Sequence, residues 1–172
     1  MSFTLFERVK EVTMSVNCPK ESNEDIAVRY HSGGASCSQA VLAAFASELN
    51  LPESTLLSMA SPFATGMGRG EMCGTCIGAL IAIGTAIGPQ SVDDIAARKA
   101  SREATHEFLQ RFEEHFGSYL CRDLVAHKKI GISAEAAAAS NEKLVDASCR
   151  QCVIQSTKIA FDIIAKHREQ KN

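Results

Sequence analysis

The 172-residue chain carries 18 basic and 20 acidic residues, so its formal net charge is −2. Because neither sign forms a long run, the charge pattern argues against a nucleic-acid or anionic-membrane surface, and the absence of Trp argues against a base-stacking platform. The length and the 45% hydrophobic fraction suit a single domain, residues 1–172, with a sizeable core.

The amino terminus and the cysteine count indicate the compartment. Glu7 and Arg8 lie where a secretory signal peptide would be apolar, so we expect a cytoplasmic protein. Seven cysteines is a high and odd number for such a protein. Where thiols stay reduced, clustered cysteines indicate metal binding or redox chemistry more often than structural disulfides.

The first third of the chain predicts helices separated by short loops. A first helix follows Thr4, and a loop surrounds Cys18 and Pro19. We expect Cys18 to be a packing residue without a functional role, since a lone cysteine is usually a small apolar residue. Ser22 then caps a short helix that glycines at positions 33 and 34 end.

A capping box positions the second cysteine. Ser36 and Gln39 have the spacing in which the serine caps the helix and the glutamine reaches back to the cap. Cys37 is therefore predicted at the first position of a helix that continues to Leu49.

The central stretch, residues 65–89, combines alternate glycines with a thiol pair and an apolar run. The run ends in Gly-Pro and is rich in small residues, so we predict a buried core helix rather than a membrane span. Cys73 lies where the loop meets this helix, and Cys76 follows one turn later. The glycines are a weak signal for a cofactor phosphate and a better one for a structural turn; they are Gly66, Gly68 and Gly70.

The rest of the chain also reads as helix. Ser91 is the predicted cap of a helix with a phenylalanine stripe that ends at Gly117, and a short helix carries Cys121. A looser stretch at residues 128–133 and an Ala-rich run at residues 134–139 then precede a last helix over residues 141–167, with Cys149 and Cys152 on its inward face. With no alternating strand pattern, the sequence predicts an all-α bundle of about six helices.

The cysteine positions suggest thiol chemistry. A thiolate is both nucleophile and metal ligand, and a helix amino terminus lowers a cysteine pKa. Cys37 and Cys73 are both predicted at such ends. Cys76 completes a C-x-x-C pair with Cys73, and Cys149 with Cys152 forms a second pair.

Two other classes of protein remain open. Paired cysteines also bind zinc or iron–sulfur clusters, with Cys37, Cys73, Cys121 and Cys149 as the candidate ligands. Alternatively, the chain is a non-catalytic interaction protein in which the cysteines only pack. Neither pair is followed by His, so the motif for covalent c-type haem is absent.

Four elements in order resemble the C_GCAxxG_C_C family of redox-active proteins. They are C-S-Q-A-V-L at Cys37, G-M-G-R-G-E-M-C-G-T-C-I-G-A-L around Cys73, C-R-D-L at Cys121 and C-R-Q-C-V at Cys149. The resemblance covers about residues 24–165 and implies a helical fold with redox use of these four cysteines. A related branch, the split-Soret cytochromes, carries haem, but this chain lacks the motif for it.

The leading hypothesis is a thiol redox protein of the oxidoreductase type, using Cys37, Cys73, Cys76, Cys121, Cys149 and Cys152. Its cofactor is unknown: either none, or zinc or an iron–sulfur cluster under the metal hypothesis. We expect its partner to be a redox protein or a small thiol, with no nucleic-acid or membrane partner. A homodimer is compatible with the sequence.

Overall fold

The computed structural model describes the backbone of residues 21–126 and 134–170, and the side chains of residues 21–125 and 149–170. These residues form eight α-helices, a 3₁₀ turn at Ser61–Phe63 and a π-type turn at Gly66–Gly70. The helices are α1 Asn23–Ser32, α2 Cys37–Ala43, α3 Ala46–Leu49, α4 Glu53–Ala60, α5 Gly74–Ile87, α6 Ile95–Phe116, α7 Cys121–Ala126 and α8 Ala134–Glu169. The predicted all-α class is confirmed.

Two of the predicted caps are confirmed. The Ser22 side chain accepts a hydrogen bond from the Asp25 N–H, and α1 ends at Gly33. Ser36 and Gln39 form both hydrogen bonds of the capping box, which places Cys37 at the first position of α2. The predicted first helix and the Cys18 loop lie outside the described residues.

Three predicted boundaries are wrong. The helix from Cys37 breaks at Phe45, whose φ of −95° and ψ of 8° leave the helical region, so that α2 and α3 are separate. Asp94 rather than Ser91 caps α6, because its carboxylate accepts the Ala97 N–H. The last helix, α8, begins at Ala134 rather than near Asn141, while the looser stretch predicted at residues 128–133 lies outside the described residues. The break at Phe45 contributes to the count of eight helices in the described residues, against about six predicted.

Helix α5 lies at the centre of the core. Cys76, Ala79, Ala82 and Ile83 are fully buried along it, and α2, α6 and α8 pack around it. Buried Phe108 and Phe112 of α6, Val153 and Ile164 of α8, and Val41 and Leu42 of α2 supply most of the bulk. Of the two cysteines predicted on the inward face of the last helix, Cys152 is buried together with Ser156, Ile159 and Ile163, whereas Cys149 is only half-buried.

Two glycines of α5 let α2 approach closely. A Cβ on Gly74 would lie 2.6 Å from the Cys37 sulfur, and one on Gly78 would lie 2.6 Å from the Ser38 carbonyl oxygen. Both distances are shorter than any real Cβ contact, so only glycine permits this helix spacing. The small residues that the sequence places along α5 thus let α2 approach its backbone at these two positions.

Within the described ranges, no helix combines the length and the hydropathy needed to cross a membrane. Helix α5, the most apolar of the chain, is 14 residues long, which is shorter than a typical membrane span of about 20 residues.

Candidate functional site

The fold gathers cysteines from four helices at the amino-terminal end of α5. Cys73 is the residue immediately before α5, and Cys76 is in its first turn. Cys37 is the first residue of α2, and Cys121 is the first residue of α7. Cys149 and Cys152 lie on α8, one turn apart. Each of these six cysteines is a thiol rather than part of a disulfide.

The glycine-rich turn places Cys73 beside α7. Gly66, Gly68 and Gly70 all have positive φ, as the predicted turn requires. After this turn the chain pairs with residues 119–121: the Cys73 N–H donates to the Tyr119 carbonyl at 2.8 Å, and the Cys121 N–H donates to the Glu71 carbonyl at 2.7 Å. The glycines thus act as a structural turn here, and their use in binding a cofactor stays a prediction.

The same turn also lies against two of the outer cysteines. A Cβ on Gly66 would lie 3.0 Å from the Cys121 Cβ and 2.6 Å from the Glu71 nitrogen, so the turn passes directly over α7. The backbone N–H of Thr65 donates a hydrogen bond to the Cys37 thiol. Cys37 and Cys121 therefore both lie close to one glycine-rich segment.

The Cys73 sulfur is the point at which hydrogen bonds converge. The Cys152 and Cys76 thiols donate to it, and so do the hydroxyl and the N–H of Thr75. These donors hold the pKa of Cys73 well below its ordinary value, although burial of the side chain acts in the opposite direction. The predicted low-pKa thiol at the α5 boundary is supported by this arrangement.

The neighbouring thiols are held neutral. Burial is the main cause that raises the pKa of Cys76, and its hydrogen bond to Cys73 and the negative charge there raise it further. Burial, followed by the negative charge on Cys73, raises the pKa of Cys121 to about 11. These directions favour negative charge on Cys73 over Cys76 and Cys121.

The expectation of a low pKa at Cys37 is wrong. Cys37 does begin a helix, but burial against α5 raises its pKa, and the Cys73 charge adds to this. The backbone N–H groups of Thr65 and Ser38 oppose the increase without reversing it. The increase in the Cys37 pKa that burial causes is thus larger than the decrease expected from its position at a helix amino terminus.

The cysteines differ in their access to solvent. The Cys73 side chain is 5% exposed, Cys152 is 4% exposed and Cys76 is fully buried. Cys37, Cys121 and Cys149 are only half-buried. The site consists of an inner group of three thiols and an outer group closer to the surface.

Two buried hydroxyl residues belong to the site although the sequence did not identify them. Thr75 lies between the cysteines of the first C-x-x-C pair, and its Oγ1 is 3.2 Å from the Cys73 sulfur. Ser156 of α8 donates to Thr75 Oγ1 at 2.9 Å. The available signal was their position: Thr75 is inside the motif, and Ser156 follows Cys152 by one helical turn.

The described residues include no group of three or more His, Cys, Asp or Glu side chains arranged to hold a metal ion. The four-cysteine metal site therefore stays a prediction. A surface cavity of about 300 Å³ lies between α6 and α8, and its lining residues, which include Glu103, Glu107 and Lys166, contain no cysteine. The cysteines of the site therefore do not line this cavity.

Comparison with protein families matches residues 35–163 to the family described as "Putative redox-active protein (C_GCAxxG_C_C)". The match spans most of the chain, and the chain belongs to this family. It includes all six cysteines of the site. No curated protein and no solved structure matches the chain.

Proposed function

We propose that this member of the C_GCAxxG_C_C family is a dithiol redox protein in which Cys73 is the nucleophile and Cys76 or Cys152 is its partner. The observation that carries the proposal is the buried Cys73 sulfur, which has the Thr75 hydroxyl 3.2 Å away and the Cys152 and Cys76 thiols as neighbours that lower its pKa. A thiolate next to a second thiol is the arrangement that thiol–disulfide exchange requires. The family description supports redox use of the cysteines without specifying the reaction.

The exchange begins when the Cys73 thiolate attacks one sulfur of a small disulfide. A bond forms between Cys73 and that sulfur, the disulfide bond of the reagent breaks, and one thiolate leaves. Cys76 or Cys152 then loses its proton to this thiolate and attacks the Cys73 sulfur, which releases the second thiolate. One protein thiolate and one protein thiol are oxidised to a disulfide, and the reagent is reduced by two electrons to one thiol and one thiolate.

The burial of Cys73 restricts the reagent. With the Cys73 side chain 5% exposed, a small disulfide is better suited to reach it than a folded partner. The thiols of Cys37 and Cys121 are half-buried, and both are close enough to Cys73 for its charge to raise their pKa. We propose that Cys37 and Cys121 line the path by which a small disulfide reaches Cys73. A partner protein would exchange thiols with Cys37 or Cys121 instead of contacting Cys73 directly.

The test is thiol counting on protein purified without oxygen and treated with a small aromatic disulfide. We expect the wild-type protein to lose two thiols rapidly at neutral pH, and Cys73→Ser to lose none at that rate. Cys18→Ser is the matched control, because Cys18 is predicted to have no functional role. Unchanged kinetics in Cys73→Ser would overturn the proposal.

Elemental analysis of the same sample tests the alternative function. About one equivalent of zinc, or an iron–sulfur chromophore, with thiols protected until a chelator is added, would favour the four-cysteine metal site instead.

A further inference from the structure

A chain of two buried hydroxyl groups links α8 to the Cys73 sulfur. Ser156 and Thr75 are both fully buried, and the Ser156 hydroxyl donates to Thr75 Oγ1 at 2.9 Å. A hydroxyl group has one hydrogen to donate. Because Thr75 accepts from Ser156, its own hydrogen remains available for the Cys73 sulfur, which lies 3.2 Å away.

This arrangement differs from that of three helical threonines. Thr85, Thr105 and Thr157 each donate to the carbonyl four residues earlier in their own helix, at 2.8 to 2.9 Å. That local bond is the usual way for a helical Ser or Thr to satisfy its hydroxyl. Ser156 is next to Thr157 in α8, yet its hydroxyl reaches across to α5.

We propose that Thr75 and Ser156 are positioning residues that hold the Cys73 side chain as the thiolate nucleophile. The Ser156 hydroxyl fixes the direction of the Thr75 hydroxyl, and Thr75 donates to the sulfur. This inference rests on the proposed function, because it assigns a role toward the same nucleophile.

The remaining titratable groups that face Cys73 are also thiols. They are Cys76 of α5, Cys37 of α2, Cys121 of α7 and Cys152 of α8. The Thr75 hydroxyl also lowers the pKa of Cys76, but it is the smallest of the causes that act on that thiol. The Thr75 backbone N–H acts on Cys73, so the combined effect of this residue favours charge at Cys73.

The test measures the pKa of Cys73 from the pH dependence of thiolate absorbance and of alkylation by a small reagent. Hydrogen bonds to charged groups are strong enough that Thr75→Val should raise this pKa by about one to two units. Ser156→Ala should raise it by a smaller amount, and Thr75→Ser should restore the wild-type value. Thr157→Val is the matched control, because it removes a buried hydroxyl of α8 that does not face the sulfur.

Urea denaturation of each variant separates a local effect from a loss of folding. A pKa that is unchanged in Thr75→Val, or shifted equally in Thr157→Val, would overturn the role of the hydroxyl pair while leaving a reactive Cys73 intact. If the wild-type protein contains no Cys73 thiolate at neutral pH, both the positioning role and the proposed function fail. The two failures are therefore distinguishable.

Discussion

Replacing Gly74 by Ala tests whether close approach of α2 and α5 creates the sulfur cluster. The new Cβ would lie 2.6 Å from the Cys37 sulfur and 2.7 Å from the Phe63 carbonyl oxygen. Ordinary van der Waals contact begins at about 3.5 Å, so the two helices must separate by roughly 1 Å at this end. Phe63 contributes a backbone atom, which cannot rotate away as a side chain could.

The cost follows from two opposing terms. Overpacking a tight core destabilises by about 1–3 kcal/mol, while Ala gains at most about 1 kcal/mol over Gly in a helix. We expect a net loss of about 1–2 kcal/mol. For a chain of this length that lowers the melting temperature by roughly 2–8 °C.

The assay combines thermal unfolding with the alkylation rate of Cys37. Displacement of its sulfur from Gly74 should make Cys37 more accessible and increase its alkylation rate. Gly84→Ala is the matched control in the same helix, because a Cβ there would meet no atom within 4 Å. We expect this control to raise the melting temperature by a few degrees. Equal melting temperatures and equal Cys37 rates in the two variants would refute the reasoning.

Three other predictions concern the thiolate, a helix cap and the core. Because folding lowers the pKa of Cys73, the unfolded chain binds one more proton than the folded chain between the two pKa values. The stability that the Cys73 thiolate contributes is complete above the ordinary thiol pKa, and it is lost as the pH falls through the folded pKa. Between pH 6 and 8 the free energy of unfolding should therefore rise with pH more steeply in the wild type than in Cys73→Ser, by up to roughly 1.4 kcal/mol per unit; equal slopes would contradict this. Ser36→Ala removes the α2 capping box and should cost about 0.5–2 kcal/mol in urea titrations, whereas exposed Ser47→Ala should cost little. Phe112→Ala leaves a cavity at a fully buried position and should lower the free energy of unfolding by about 3–5 kcal/mol in the same urea titrations. Phe161, which is 41% exposed, provides the control. A similar loss in Phe161→Ala would show that burial does not determine the cost.

Local sequence signals predicted the elements that depend on neighbouring residues. The capping box at Ser36 and the glycine-rich turn before Cys73 were both readable, because their hydrogen bonds and dihedral angles involve residues a few positions apart. The start of α6 was predicted wrongly because two nearby residues could each cap the helix. Ser91 and Asp94 are both good cap residues, and sequence alone does not decide between them.

Tertiary packing determined the parts of the site that sequence could not predict. Cys73 and Cys152 are far apart in the chain and meet only because α5 and α8 pack together. The same packing buries Cys37, which reverses the pKa direction that its helix position predicted. The Thr75–Ser156 hydrogen bond also crosses this interface, so no local spacing could reveal it.

The two thiols that donate to Cys73 would have very different effects on the chain if they were oxidised. A disulfide with Cys76 closes a loop of only about four residues, which restricts the unfolded chain by about 2 kcal/mol in the loop-entropy description. A disulfide with Cys152 closes a loop of about 80 residues and restricts it by about 4.5 kcal/mol. The choice of partner thus decides whether oxidation is a local event at the start of α5 or joins two distant segments of the polypeptide into a covalent ring.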